Sequence, residues 1–407
     1  MHRRFSQLDS LRGLAAISVF FSHMSLVTLI PFLKITVSSV LFLPLNILAG
    51  QSSHSFVNFF FVLSGFVLYL LFTKGRANTY TPFIIKRFFR LYIPYIVAVT
   101  VSIAACVLFS KGGIKELSGW FNLSWVVPLS IKQILQHVLM IGNFNTDLYN
   151  NVIWSLVQEM RVSLIFPILA FIILKVNWRI SLILCVFLSF FSGFNNIFHW
   201  QANLGYHTSF FASLQIASMF IVGGLLAKHL SRMIRFYEEL TKNKKIILFI
   251  FTIGCFLYNE VLTVVANYLG IYQYGEIMSD YAIGIGSVLI ILISLASRKA
   301  QTLLLNKPFL YLGKISYSLY LYHLPVLFSL IYIFHQVIPL WSIFVISIPI
   351  AIVSAHISWR FIEKPASMYG NIVAGKVEEY KKKKRILTIK SKIKNLVTER
   401  INPNYRG

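Results

Sequence analysis

Cysteine is nearly absent from this chain, with three in 407 residues. Cys106, Cys185 and Cys255 all lie inside apolar stretches, so neither a disulfide framework nor a zinc-binding cysteine spacing is available, and they read as packing residues. No metal site is expected. Acidic residues are scarce too, 13 Asp and Glu against 38 Lys and Arg, and charged residues make up only 13% of the whole. Also missing are an internal repeat and any polar stretch long enough for a separate soluble domain. With 57% hydrophobic residues, above the roughly 45–50% of soluble domains, the composition is that of an integral membrane protein.

A membrane span needs about 20 mostly apolar residues. Ten such segments are predicted: 8–31, 54–73, 87–110, 152–174, 180–198, 208–227, 246–267, 280–297, 309–334 and 341–362. The expected fold class is therefore all-α, a polytopic membrane protein of about ten helices. The first segment is long, opens with Asp9 and Arg12 and has no clear small-residue cleavage site, so it is read as a helix and not as a secretory signal.

A net charge of +25 would suit a nucleic-acid partner, but its placement excludes that reading. Starting from "MHRR", every second connection is basic: "KGRANTYTPFIIKRFFR", "KVNWR", "KHLSRMIRFYEELTKNKK", "SRKAQTLLLNK" and the C-terminal tail with "KKKKR". The connections at 199–207, 268–279 and 335–340 hold few basic residues or none. That alternation is the positive-inside pattern, which puts both termini in the cytoplasm and the tail beside anionic headgroups. The longest outer segment, 111–151, contains "SIKQILQHVLMIG", whose apolar residues recur at spacings of three and four; this predicts a helix on the outer membrane surface or a packed lid.

Ionisable residues inside spans cost at least about 2.5–3.5 kcal/mol on insertion scales and so mark function. At about 1.5 Å rise per residue, His23 and His323 fall roughly 22 and 21 Å from the cytoplasmic ends of their helices, and Glu159 roughly 18 Å from that face. Arg12 lies only about 6 Å inside it, on the same face of the first helix as His23 and about 16 Å away. A ligand charged at one end and reactive at the other fits this spacing. Glu159 and Arg161 are two apart and cannot face each other, so each is expected to find a partner on another helix; for Glu159 the preferred partner is His23, whose imidazole a carboxylate would orient. Arg87 and Arg90, three apart in "KRFFRLYIPY", serve as a topology anchor at the cytoplasmic surface and as a phosphate clamp. For His323 a core packing role stands beside a functional one.

Six motifs in order then carry a resemblance: "LDSLRGLAAISVFFSHM", "NFFFVLSGFVL", "KRFFRLYIPY", "WSLVQEM" followed by "LIFP", "LGKISYSLYLYHLPV" and "SWRFIEKP". Over most of residues 5–365 the chain resembles the acyltransferase 3 family of bacterial membrane O-acyltransferases. The resemblance implies ten helices and transfer of an acyl group, usually acetyl, from cytoplasmic acyl-CoA to a hydroxyl of a cell-surface glycan. No cofactor would be resident, since acetyl-CoA is a co-substrate. By the same resemblance His23 and Glu159 are catalytic, Arg12, Arg87 and Arg90 bind the donor, and Ser316, Tyr317 and His323 line the site; Asp9, and Arg161, which departs from the family pattern, are further candidates for the lining. The implied organisation is a transmembrane acyltransferase domain over 1–365 and a basic cytoplasmic tail over 366–407. The implied location is the bacterial cytoplasmic membrane, with the bilayer, the glycan acceptor and other envelope polysaccharide-biosynthesis proteins as partners. Many members read "WSLSVEEQFY" where this chain has "WSLVQEMRVS", so acceptor specificity does not transfer. Two other classes compete: a transporter or flippase using the buried His, Glu and Arg as a relay, and a catalytically silent subunit of an export complex.

Overall fold

The computed structural model describes residues 5–28, 53–73, 80–126, 129–258 and 260–401. Among these there is no strand, and a single β-bridge joins Thr28 to Leu117. Fourteen helices follow in order: α1 (Ser6–Leu26), α2 (Ser53–Thr73), α3 (Tyr80–Phe109), α4 (Ile131–Leu139), α5 (Ile153–Lys175), α6 (Trp178–Phe198), α7 (Phe210–Glu239), α8 (Lys242–Leu257), α9 (Glu260–Tyr268), α10 (Gly275–Ala296), α11 (Arg298–Leu304), α12 (Lys307–Phe334), α13 (Leu340–Ser358) and α14 (Lys364–Ile401).

Eight helical segments are long and apolar enough to cross a membrane, or nine when α8 and α9, bent by 65° at their break, count as one span. The tenth expected span is α1. At 21 residues, about 30 Å, it has the length, but Asp9, Arg12 and His23 dilute its hydrophobicity. The end of the expected first segment, 29–31, lies outside the described residues. Large apolar side chains such as Ile183, Phe187, Ile247, Ile250 and Val353 are exposed, the surface that hydrocarbon covers. The protein is an all-α polytopic membrane protein.

One helix start differs from expectation. Helix α3 starts at Tyr80, not at residue 87, because Pro82 is tolerated in a first helical turn. The expected division at 365 falls inside continuous helix: α13 passes through a π-helical turn at Trp359–Glu363 directly into α14, which packs along α3. Lys381 Nζ donates to Thr81 Oγ1 at 2.7 Å, so part of the basic tail rests against the bundle.

The inner packing sets up the site. Helix α1 lies against α12 along much of its length and also touches α2; α2 in turn packs on α7 and α10. The α1–α12 crossing is made by two glycines. A Cβ on Gly13 would strike the backbone at Leu312 and Gly313, and one on Gly313 would strike the backbone of Asp9 and Ser10. Small residues at such a crossing let two membrane helices approach closely, and this one brings the side chains farther along α1 and α12 into direct contact.

Candidate active site

A cavity of about 430 Å³ opens among α1, α2, α3, α5, α12 and the start of α14. Its volume is within the roughly 300–1,000 Å³ range of small-molecule sites. Five basic side chains line it, Arg12, Arg87, Arg90, Lys314 and Lys364, against three carboxylates, Asp9, Glu159 and Glu363. Ser316 and Tyr317 line it as well, so the fold gathers seven of the ten residues singled out in the sequence. Tyr317 Oη donates to the Leu91 carbonyl at 2.8 Å and Ser316 Oγ to that of Gly313 at 3.0 Å, which fixes this wall. The π-helical turn aims Glu363 inward, where its Oε2 accepts from Ser318 Oγ at 2.7 Å; such turns often mark functional sites.

The guanidinium groups are not equivalent. Arg87 is buried and committed: it donates to Glu159 Oε1 at 2.7 Å and to Ser163 Oγ through Nη2 at 2.9 Å and Nε at 3.2 Å. Glu159 Oε1 also accepts from Ser64 Oγ at 3.1 Å. Arg12 sits 3.4 Å from Asp9. Arg90, exposed at the cavity, has no ion pair among the described residues and is the guanidinium most open to an incoming anion.

This corrects two expectations. Glu159 pairs with Arg87, not with His23, because a buried carboxylate gains more from the permanent charge and directed donors of a guanidinium than from an imidazole. Arg87 is not a surface anchor, because α3 begins seven residues before it and carries it inside.

His23 and His323 do converge. Their rings meet edge to edge, nearly coplanar, with centroids 5.1 Å apart and His23 Nδ1 2.9 Å from His323 Nε2. Both residues are buried. The proton positions follow from a chain of partners that starts at a carbonyl. His323 Nδ1 is 3.0 Å from the Leu319 carbonyl oxygen, which only accepts, so Nδ1 carries the hydrogen and Nε2 the lone pair. His23 must then donate through Nδ1, which leaves its Nε2 as the basic nitrogen. The Trp120 ring lies parallel to that of His23 with centroids 5.2 Å apart, and Phe20 lies against His323 at 5.3 Å. The His pair does not line the cavity. Tyr320 touches both: it faces the cavity and its ring lies 6.0 Å from that of His323, while its hydroxyl is held by Ser155 at 2.7 Å.

Arg161 is elsewhere. It donates to the carbonyls of Ile141, Gly142, Thr208 and Ser209 and to Ser213 Oγ at 2.7–3.1 Å, and its guanidinium lies 4.2 Å from the Phe210 ring. It therefore clamps the 141–142 and 208–209 connections onto α5 and lines no part of the cavity, correcting the sequence expectation. As expected, it and Glu159 point to different partners. Arg161→Ala leaves four carbonyls without their charged donor and is expected to destabilise the protein by about 2–4 kcal/mol. Thermal unfolding in detergent checks this, and Arg161→Lys should recover little, since an ammonium cannot reproduce the fork.

The 111–151 segment combines both predicted forms. Helix α4 turns Ile131, Leu135 and Leu139 outward, as its periodicity requires, while Trp120, Phe121 and Trp125 pack inward on Phe328 or Tyr332 as a lid. Asp147 ties this lid to Asn151 and to the Tyr206 amide, and burial pushes its carboxyl above the usual range despite those donors. Sequence reasoning missed Trp120, Tyr320, Ser64, Ser163 and Glu363. Glu363, within "SWRFIEKP", Tyr320, within "SYSLYLYH", and Ser64, within "NFFFVLSGFVL", carried a motif signal.

No curated protein and no solved structure matches the chain. The acyltransferase domain of the acyltransferase 3 family matches residues 5–360, nearly the whole length, and with its arginine-rich cavity and paired histidines the chain belongs to that family of membrane acyltransferases.

Proposed function

We propose that the protein is an O-acyltransferase of the bacterial cytoplasmic membrane, moving an acyl group, acetyl in the first instance, from cytoplasmic acyl-CoA to a hydroxyl of a cell-surface polysaccharide or its lipid-linked precursor. The observation that carries this reading is the division of labour along α1. Arg12 stands in a cation-rich cavity, and His23, about 16 Å farther on, has its basic nitrogen fixed by His323. A donor with phosphates at one end and a thioester at the other matches that separation.

In this reading Arg90 and Arg12 take the donor phosphates, with Lys314 and Lys364 adding to the field, while Arg87 is held ready by Glu159. The thioester passes Tyr320 toward the His pair. An alcohol is a poor nucleophile until a base removes its proton. His23 Nε2 takes that proton as the acceptor oxygen attacks the thioester carbonyl. The C–O bond forms, the C–S bond breaks, and the departing thiolate recovers the proton from His23. His323 is a positioning residue: its Nε2 holds the Nδ1–H of His23 throughout. Envelope polysaccharide-biosynthesis proteins are the expected suppliers of the acceptor.

The test is transfer of labelled acetyl from acetyl-CoA in membranes containing the wild type or His23→Ala, with glycan and protein fractions counted separately. Label should reach glycan only with the wild type. Stable label on the wild-type protein would mean that His23 carries the acyl group before transfer. No donor consumption by a folded, donor-supplied wild type would overturn the proposal in favour of a transporter or a silent subunit.

A further inference from the structure

A second cavity, of about 80 Å³, collects polar side chains from elements far apart in the sequence. His54 begins α2, His207 precedes α7, Gln215 lies in the second turn of α7, and Glu276 and Asp280 occupy the first two turns of α10. Phe61, whose ring packs on Trp154, lines both this cavity and the arginine-rich one. The function proposed above makes no use of this cluster.

One ligand atom from each of His54, His207 and Glu276 lies within 4.8 Å of the other two. His207 Nε2 and Glu276 Oε1 are 3.0 Å apart. Two ligands with bonds of about 2.0–2.2 Å to a tetrahedral zinc stand about 3.3–3.6 Å apart, a few tenths of an ångström wider, which a small side-chain shift supplies. His207 Nε2 is buried and makes no well-aligned hydrogen bond among the described residues, so its approach to Glu276 is compatible with two atoms sharing a cation.

The surroundings are those of a supported ligand set. His54 Nε2 lies 2.7 Å from Asp280 Oδ1; the carboxylate accepts, so Nε2 bears the hydrogen and Nδ1 the lone pair. Asp280 is itself fixed by Asn58 Nδ2 at 2.6 Å and Gln215 Nε2 at 3.1 Å. A carboxylate that orients a histidine for a metal is the usual outer support of such sites. Gln215 supplies an independent sign of a ligand. It is 6% exposed, it lines the cavity, and its Oε1 has no partner among the described residues. Two carboxylates facing two imidazoles also leave two negative charges for a divalent cation to balance when the imidazoles are neutral.

We propose that His54, His207 and Glu276 bind a divalent transition-metal ion of the zinc class. Asp280 orients His54, and Gln215 Oε1 accepts from a water on the metal. Two imidazoles and one carboxylate suit zinc, and three protein ligands leave a position open to water or a hydroxyl-bearing ligand. The ion joins the start of α2, the connection before α7 and the start of α10 behind Phe61.

The test uses full-length protein purified in detergent through a tag without histidine, stripped with chelator and titrated with Zn²⁺. Metal content and thermal unfolding are both read, and neither depends on acyl transfer. The wild type should take up one zinc per chain and unfold at higher temperature as zinc is added. His207→Ala and the milder Glu276→Gln should lose both responses. Asp280→Asn should weaken zinc binding by about 10- to 100-fold, and His335→Ala, away from the cluster, should bind as the wild type does. A wild type that neither retains zinc above the chelated control nor shifts in unfolding would overturn the site. So would Glu276→Gln and His207→Ala proteins that bind zinc as tightly as the wild type, and the cluster would then be a pair of proton-bridged His–carboxylate contacts.

Discussion

His323→Ala is expected to lower kcat for acyl transfer by about 10²- to 10³-fold while leaving the KM for acyl-CoA nearly unchanged. The size follows from what general-base catalysis contributes, about 10²–10⁴-fold, and from what the substitution removes. With His323 gone, His23 Nδ1–H loses the acceptor 2.9 Å away, and the imidazole is free to place its hydrogen on either nitrogen and to rotate against Trp120. A base whose lone pair points elsewhere is no base for the reaction. The donor site is spared because His323 does not line the arginine-rich cavity. His323→Gln, whose amide oxygen can still accept from Nδ1–H, should retain more activity than His323→Ala. Steady-state kinetics on purified enzyme with varied acyl-CoA separates the terms. A rise in donor KM with kcat intact would assign His323 to packing around the donor instead, and equal activity in Ala and Gln variants would mean that its acceptor nitrogen does not orient His23.

Much of the fold could be read from the chain because lipid imposes simple rules on it. Apolar length marked the spans, and the three- and four-residue spacing in 131–139 marked a helix with an outward apolar face. The helix period also separated Glu159 from Arg161 correctly. Depth arithmetic put His23 and His323 in one layer, though Glu159 was the preferred partner; the two histidines meet because their helices cross at Gly13 and Gly313 and so keep their relative height. The same arithmetic failed for Glu159. It treats helices as upright and independent, whereas the carboxylate's partner is decided by which cation a neighbouring helix carries inward, and α3 starts early enough to bury Arg87. The helix through residue 365 was not legible for a related reason: a π-helical turn changes which side chains face inward without breaking the helix, and composition cannot register it. The cluster of His54, His207 and Glu276 was invisible because its members are separated by 153 and 69 positions, so no local spacing announces them.

The second large effect concerns Arg87 and Glu159. Removing either partner alone strands the other in the protein interior, and breaking a buried pair in this way typically costs about 3–5 kcal/mol. Glu159→Leu and Arg87→Met are therefore each expected to lower stability in detergent by that amount and to abolish transfer. Joint replacement with apolar residues removes both charges together, and such exchanges are often neutral or stabilising. The double variant Arg87→Met/Glu159→Leu should thus unfold near the wild-type temperature, less the hydrogen bonds that Ser64 donates to the Glu159 carboxylate and Ser163 accepts from the Arg87 guanidinium. Its activity should stay absent, because the cavity has lost the guanidinium that Glu159 holds toward the donor and the net positive charge there no longer has its ordered centre. The comparison divides stability from function at a single pair. If the double variant recovers transfer along with stability, Arg87 and Glu159 are a structural brace and donor recognition rests on Arg12 and Arg90. If it recovers stability alone, the pair is kept at a cost in folding for what the guanidinium does to the donor.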